Sequence, residues 1–186
     1  MGIIPTAMAI FSPHEADDQR RDWIILRDGG VALYWRPEVL KKDVDWLEEQ
    51  GYNIVEFDAS KWNSEEQMHD SVRSALSFPY YYGKNLDALD ECMRDDFTVP
   101  DSGGAVLVFH HYDQFAKIDQ RRGPDQRKLA QVVLDILAGT IRYHMLFGRR
   151  LLILVQSDDP GIRFDDLAGF SAGWNSQEWL NSSRGL

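Results

Sequence analysis

Between residues 37 and 155 the spacing of apolar positions shifts repeatedly, and each shift marks an element. Pro37 opens the first stretch, at a position where a missing N–H costs a helix nothing. Leu40, Val44 and Leu47 follow at spacings of four and three, one buried stripe, while Lys41, Lys42, Asp43, Glu48 and Glu49 spread over the other side. Gly51 stops this helix. Residues 52–58, Tyr-Asn-Ile-Val-Glu-Phe-Asp, read as a strand. Residues 64–77 read as a helix capped by Asn63 or Ser64, with Met68, Val72, Ala75 and Leu76 on its apolar side. Two runs, 105–109 (Ala-Val-Leu-Val-Phe) and 151–155 (Leu-Leu-Ile-Leu-Val), are apolar without alternation, as in strands covered on both faces. Between them, Tyr112 and Phe115 mark one short helical turn. Residues 125–147 form the longest helix: Leu129, Val132, Val133, Ile136, Leu137, Ile141 and Met145 keep one face apolar over about six turns.

The flanks are read differently. Residues 1–21 lack periodicity and read as a loose N-terminal tail. Trp23-Ile24-Ile25-Leu26 and Val31-Ala32-Leu33-Tyr34-Trp35 flank Asp28-Gly29-Gly30, which predicts a β-hairpin. Residues 158–186 carry Phe164, Leu167, Phe170, Trp174, Trp179 and Leu180, so this tail is expected to pack on the domain, with Asn175 or Ser176 capping a last short helix. Strands separated by helices imply an α/β fold, a parallel sheet with helices over its faces. A chain of 186 residues suits one domain, here 22–186, with a core over 50–157 and extensions at 22–49 and 158–186.

The stretch 78–93 stands out. Pro79 fixes its own φ and pushes Phe78 away from helical backbone, so the preceding helix ends there. Gly83 is expected at a backbone conformation that a side chain would penalise. Asn85 is a good N-cap for a helix starting at Leu86. With about 100° per residue, Leu86, Leu89, Cys92 and Met93 share one side. Asp87, Glu91 and Asp95 form a stripe on another, with Asp90 between the two.

Charge narrows the function classes. Thirty acidic residues against 20 basic give a formal net charge of −10, which disfavours nucleic acid as a direct partner and suits a basic protein or mere solubility. A single cysteine, Cys92, allows no internal disulfide, and its place on the apolar side marks it as a small buried hydrophobe. No secretory signal and no membrane span are evident, so a cytoplasmic protein is expected. No phosphate-binding glycine loop or nucleophile elbow is present; Gly103-Gly104 precedes a strand rather than opening a helix. His110 and His111 are adjacent on a strand end and point to opposite faces, poor geometry for one metal. The acidic stripe is open to three readings: a solvated face, a carboxylate pair for acid–base or metal chemistry through Asp87, Asp90 and Glu91, or an acidic helix offered to a basic groove.

The run Phe-Pro-x-Tyr-Tyr-Gly-x-Asn-Leu-Asp-Ala-Leu, then an acid and Cys, resembles the signature of the barstar family, inhibitors of the ribonuclease barnase. The match is dense over Pro79, Tyr81, Tyr82, Gly83, Asn85, Leu86, Asp87, Ala88, Leu89 and Cys92, and the order of elements over about 50–157 agrees. The resemblance implies a three-layer fold built on a three-stranded parallel sheet, with the predicted hairpin and helix before it and the packed tail after it. It also implies a non-enzymatic inhibitor, of immunity or antitoxin type, that uses no cofactor or metal. Its partner would be a basic ribonuclease or toxin nuclease acting outside the cell, plugged by the motif's loop and helix; a monomer is favoured. On matching positions Tyr81, Gly83, Asn85, Leu86, Asp87 and Ala88 would lie in the interface, with Asp90 and Glu91 beside them. Glu91 stands where the family commonly has a key aspartate, and Tyr82 packs inward. Asp90 and Asp96 replace tryptophans, and a glutamate expected from the last long helix falls near Tyr143, among Arg142, His144, Arg149 and Arg150. The other reading is an interaction or regulatory module for a non-nuclease partner, contacted through the terminal extensions.

Overall fold

The computed structural model describes residues 20–101, 103–118, 121, 122, 124 and 126–186. Residues 1–19, and with them nearly all of the expected N-terminal tail, lie outside the described residues. The elements run α1 (Arg21–Arg27), β1 (Val31–Tyr34), α2 (Pro37–Glu49), β2 (Tyr52–Asp58), α3 (Glu65–Ala75), α4 (Leu86–Asp95), β3 (Gly104–His110) and α5 (Tyr112–Ala116). A minimal antiparallel pair follows, β4 (Arg121–Arg122) with β5 (Arg127–Lys128), then α6 (Leu129–Met145), β6 (Leu151–Gln156) and β7 (Gly173–Trp174).

The sheet is parallel throughout, in the order β2-β3-β6-β1-β7. Its three expected strands are neighbours in register: Tyr52 opposite Gly104, Ala105 opposite Leu151. All six positions of β6 and six of seven in β3 are buried, which explains their unbroken apolar run. Helices pack on the faces. Leu40 and Leu47 of α2, Met68 of α3, Leu89 and Met93 of α4 and Leu134 of α6 all lie within one cluster with Leu107 and Leu154. Burying each such side chain contributes about 1.5–3 kcal/mol.

The expected hairpin is not formed. Trp23–Leu26 belong to helix α1, and Asp28-Gly29-Gly30 closes that helix instead of turning a strand. The Gly30 N–H donates to the Ile25 carbonyl at 2.7 Å and the Gly29 N–H to that of Leu26 at 3.2 Å, with φ of +82° and +104° at the two glycines. This is a left-handed helix stop of the Schellman kind. Val31–Tyr34 then enter the central sheet beside β6, Val31 opposite Ile153, so five strands replace the expected three. The long helix also starts at Leu129 rather than 125, because β5 occupies Arg127 and Lys128.

The C-terminal segment is fastened by polar groups as well as by packing. Its β7 lies on the far side of β1, Ala32 opposite Gly173. Glu178, fully buried, accepts from the N–H groups of Trp35 and Arg36 at 3.0 Å each, from Arg36 Nε at 2.9 Å and from Asn175 Nδ2. It thereby caps α2, whose own N-cap residue Arg36 offers no side-chain acceptor. Arg184 is buried against the Trp174 ring and donates to the Pro160 and Glu178 carbonyls. The short helix expected after Asn175 or Ser176 is displaced to a 3-10 turn at Asn181–Arg184; Asn175 instead accepts from the Gln177 N–H.

A second buried carboxylate, Asp22, ties α1 to the sheet by accepting from Tyr52 Oη at 2.8 Å and from Arg20. Burial alone would raise its pKa, but the hydrogen bonds from Arg20 and Tyr52 hold it below the usual value. Gly103 is required by space: a Cβ there would sit 2.1 Å from the Gly51 carbonyl oxygen, and its φ is +91°. The glycine pair thus serves the entry to β3 rather than a phosphate.

Candidate functional site: the acidic helix and its tyrosine loop

Helix α4 is built as the sequence leads one to expect. Asn85, in extended backbone, accepts from the Ala88 N–H at 2.8 Å and so satisfies one of the donors stranded at a helix start. Leu89, Cys92 and Met93 are buried and Leu86 is half-buried. Burial pushes the Cys92 thiol up to about 12, so it stays protonated. From below, His144 of α6 bonds the Met93 carbonyl at 2.9 Å. The outer face is left to Asp87, Glu91 and Asp95, all exposed.

Among the described residues, no side chain pairs with Asp87 or Glu91. Their neighbours are engaged. Asp90 is half-buried and held by Arg94 at 2.8 Å. Asp95 accepts from Tyr143 Oη at 3.4 Å, and Asp96 from Tyr81 Oη at 2.7 Å. That bond to Asp96 raises the Tyr81 phenol to about 12.

The loop before the helix is held mainly by α3. Phe78 donates its N–H to the Arg73 carbonyl, and Tyr82 donates its own to that of Pro79. Tyr82 is buried, as expected, and its phenol bonds His69 Nδ1. Burial keeps His69 below its ordinary pKa and raises that of Tyr82. Lys84, at φ +48°, reaches Asp70 at 2.6 Å. The strained backbone position is therefore Lys84 and not Gly83, as the sequence suggested. Gly83 has an ordinary φ, and a Cβ there would crowd the capping Asn85 amide at 3.1 Å. Tyr80 and Tyr81 project outward, 89% and 59% exposed, with their rings edge to face.

Of the eight expected interface residues, the structure brings Tyr81, Gly83, Asn85, Leu86, Asp87, Ala88, Asp90 and Glu91 onto one loop and helix. Glu91 and Asp87 share the outer face one turn apart, while Asp90 turns toward Arg94. Sequence reasoning passed over Tyr80, whose exposure nothing in the pattern distinguishes from Tyr82, and over the α6 side. A cleft of about 510 Å³ lies beside the start of α4, lined by Glu65, Asp87, Arg127 and Asp135 among others. Asp135, on α6, thus supplies an acid next to Asp87, while Tyr143 lies at the opposite end of α4. Asp135 is itself tied to Arg127 and to the Ala168 N–H. His110 and His111 face separate carboxylates, Glu56 and Asp158. Among the described residues no three His, Cys, Asp or Glu side chains converge to hold a metal ion, and no helix is long and apolar enough to cross a membrane.

Fold and site together define an α/β protein that presents an acidic helix on a parallel-sheet scaffold. The family model described as "Barstar (barnase inhibitor)" matches residues 52–147, and the chain belongs to the barstar family. A protein of Bacillus subtilis (strain 168) named "Putative ribonuclease inhibitor YrdF" is 44% identical over 43 residues, 23% of this chain and 47% of that protein. The match thus spans about half the length of that curated relative. One chain of a solved structure, "Structure of Drosophila ORC bound to AT-rich DNA and Cdc6", is similar at a TM-score of 0.49 and 18% identity, covering 82% of this chain and 50% of that one. At that level nothing about function transfers.

Proposed function

We propose that the chain is a non-enzymatic protein inhibitor that blocks the active site of a basic ribonuclease or toxin nuclease with helix α4. The observation that carries this reading is the pair of exposed carboxylates, Asp87 and Glu91, without a side-chain partner among the described residues, on a helix capped by Asn85 and anchored by Leu89, Cys92 and Met93. A nuclease site is cationic because it holds phosphates. Rigidly placed acids are steered toward such a site and form charge-assisted hydrogen bonds there, a behaviour for which barnase and barstar are themselves the reference pair. The partner-binding set on this reading is Tyr81, Gly83, Asn85, Leu86, Asp87, Ala88, Asp90 and Glu91. Residues 22–186 act as one unit, monomeric and cytoplasmic, and protect the cell that makes the nuclease.

Calorimetric titration of the purified protein with barnase and a panel of small basic ribonucleases, at low and high salt, tests this. Asp87→Ala and Glu91→Ala should each weaken binding by about 1.5–3 kcal/mol, roughly ten- to a hundredfold. If no basic nuclease binds at low salt, the reading fails. It fails also if a partner is found whose affinity follows the exposed Trp179 and Leu180 instead of the two acids; the chain would then be an interaction module.

A further inference from the structure

A cavity of about 530 Å³ lies between α1, β1 and the C-terminal segment, outside the stretch 52–147 that matches the family. One glycine helps to leave it open. Side chains alternate along a strand, and residues paired across parallel strands point to the same face. Ala32 and Tyr34 therefore share a face with Gly173, the register partner of Ala32. That face looks toward α1 and α2: the Tyr34 hydroxyl donates to Asp43 at 2.7 Å, and Asp43 pairs with Arg21 at 2.7 Å. A Cβ on Gly173 would meet nothing within 4 Å, and its φ is not positive, so neither space nor backbone calls for glycine there. The edge strand β7 leaves the floor beside α1 uncovered. The walls say what fits. Ile24, Ile25 and Ala32 are apolar, and Trp174 and Trp179 add flat aromatic surface, Trp179 being 66% exposed. The charges of the lining cancel: Arg21 is taken by Asp43, and Arg27 by Asp28 at 2.7 Å. At the rim, the exposed Ser176 hydroxyl and Gln177 amide make no hydrogen bond among the described residues.

We propose that this cavity binds a small, uncharged, flat and mainly apolar molecule, with one polar edge turned to Ser176 and Gln177. Its volume falls within the range of small-molecule sites, about 300–1,000 Å³, and apolar walls with a few placed polar groups are how such sites are built. A charged ligand would have to break one of the two internal ion pairs or be buried unpaired, which is costly. An uncharged ring displaces only water from apolar surface. The site shares no residue with α4 and stands whether or not the chain inhibits a nuclease.

The probe is phenylnaphthylamine, an uncharged aromatic dye that brightens on leaving water, titrated into the full chain. It should bind saturably at one site, quench tryptophan emission, and bind about tenfold or more tightly than its charged relative, anilinonaphthalene sulfonate. Gly173→Val places a side chain in the cavity at a strand position that tolerates one. That variant should melt within a few degrees of the wild type and bind the dye about tenfold more weakly or worse. Trp179→Ala, at an exposed position, should weaken the dye by a similar factor without disturbing the fold. Leu146→Ser/Phe147→Ser, at exposed apolar positions elsewhere, should leave dye binding unchanged. The inference is overturned if the dye does not saturate, or if the sulfonate binds as well as the uncharged dye. It is overturned too if neither Gly173→Val nor Trp179→Ala weakens binding, or if the Leu146/Phe147 variant abolishes it. Release of the dye on adding a nuclease that binds the chain would make the cavity part of a protein interface and would also overturn it.

Discussion

Replacing Glu178 by alanine should unsettle the whole molecule, not only its C-terminal segment. The carboxylate is fully buried and accepts four donors, two of them backbone N–H groups at the start of α2. Hydrogen bonds to a charged acceptor contribute about 1.5–3 kcal/mol each. They are not additive, and the Arg36 side chain, 39% exposed, recovers part of its loss from water. A total near 3–5 kcal/mol follows, the usual size for breaking a buried charge pair. Glu178→Gln keeps the shape and one acceptor and should cost about half as much, roughly 1.5–3 kcal/mol. Urea unfolding followed by circular dichroism and tryptophan fluorescence reads both. With a slope of about 1–3 kcal/mol/M, the alanine variant's midpoint should fall by roughly 1–5 M, both probes moving together. A separate early tryptophan transition with the main midpoint unmoved would refute the reasoning, because residues 158–186 would then come away alone.

Acidification should act through the same groups. Glu178 is raised by burial but lowered further by Arg36, the Trp35 N–H and Asn175, so its folded pKa lies below the ordinary 4.5. Asp22 lies below 3.8 for like reasons. Their stabilisation is present above the unfolded values and lost as pH falls through the folded ones, so urea midpoints should drop steadily below about pH 4.5. Burial depresses His69 and His144 too, which places an earlier loss below about pH 6.5, and His69→Gln should remove part of it. Asn85→Ala should cost about 1 kcal/mol of stability by removing the helix cap, measurable in the same melts, and should weaken nuclease binding more than it weakens the fold. Gly103→Ala should cost at least about 2–3 kcal/mol, since both its φ and the Gly51 carbonyl exclude a Cβ; wild-type-like melting would count against the packing described.

Much of this was legible in the sequence. Helices α2, α3, α4 and α6 carry their apolar stripes at helical spacing, and Ser64 and Asn85 cap as their chemistry suggests. The cores of β3 and β6 are short apolar runs between clear stops, and β2 is a mixed run that still reads as a strand. What failed was Trp23–Leu26. Four apolar residues before two glycines fit a strand and a helix equally, because periodicity needs more length than that to decide. The missing term was non-local: Val31–Tyr34 are strand because β6 lies beside them, a pairing no local pattern announces. The same holds for the site. Asp87 and Glu91 could be found from spacing, and Asp90 and Arg94 are four apart on α4, but that Asp95 would be taken up by Tyr143 depends on how α4 meets α6.

The position of β1 has a consequence for synthesis. The ribosome delivers Val31–Tyr34 long before its neighbours in the sheet, β6 and β7, which follow only after β2, β3 and the helices between them. Until they emerge this strand lacks its native neighbours, and its four side chains, all interior in the finished molecule, remain without a home. Pairings this distant along the chain form slowly and leave sticky surface open in the meantime. The nascent protein should therefore lean on chaperones until Leu151–Gln156 is released, and the late-arriving Glu178 would act as the clasp that makes the early strand's placement final.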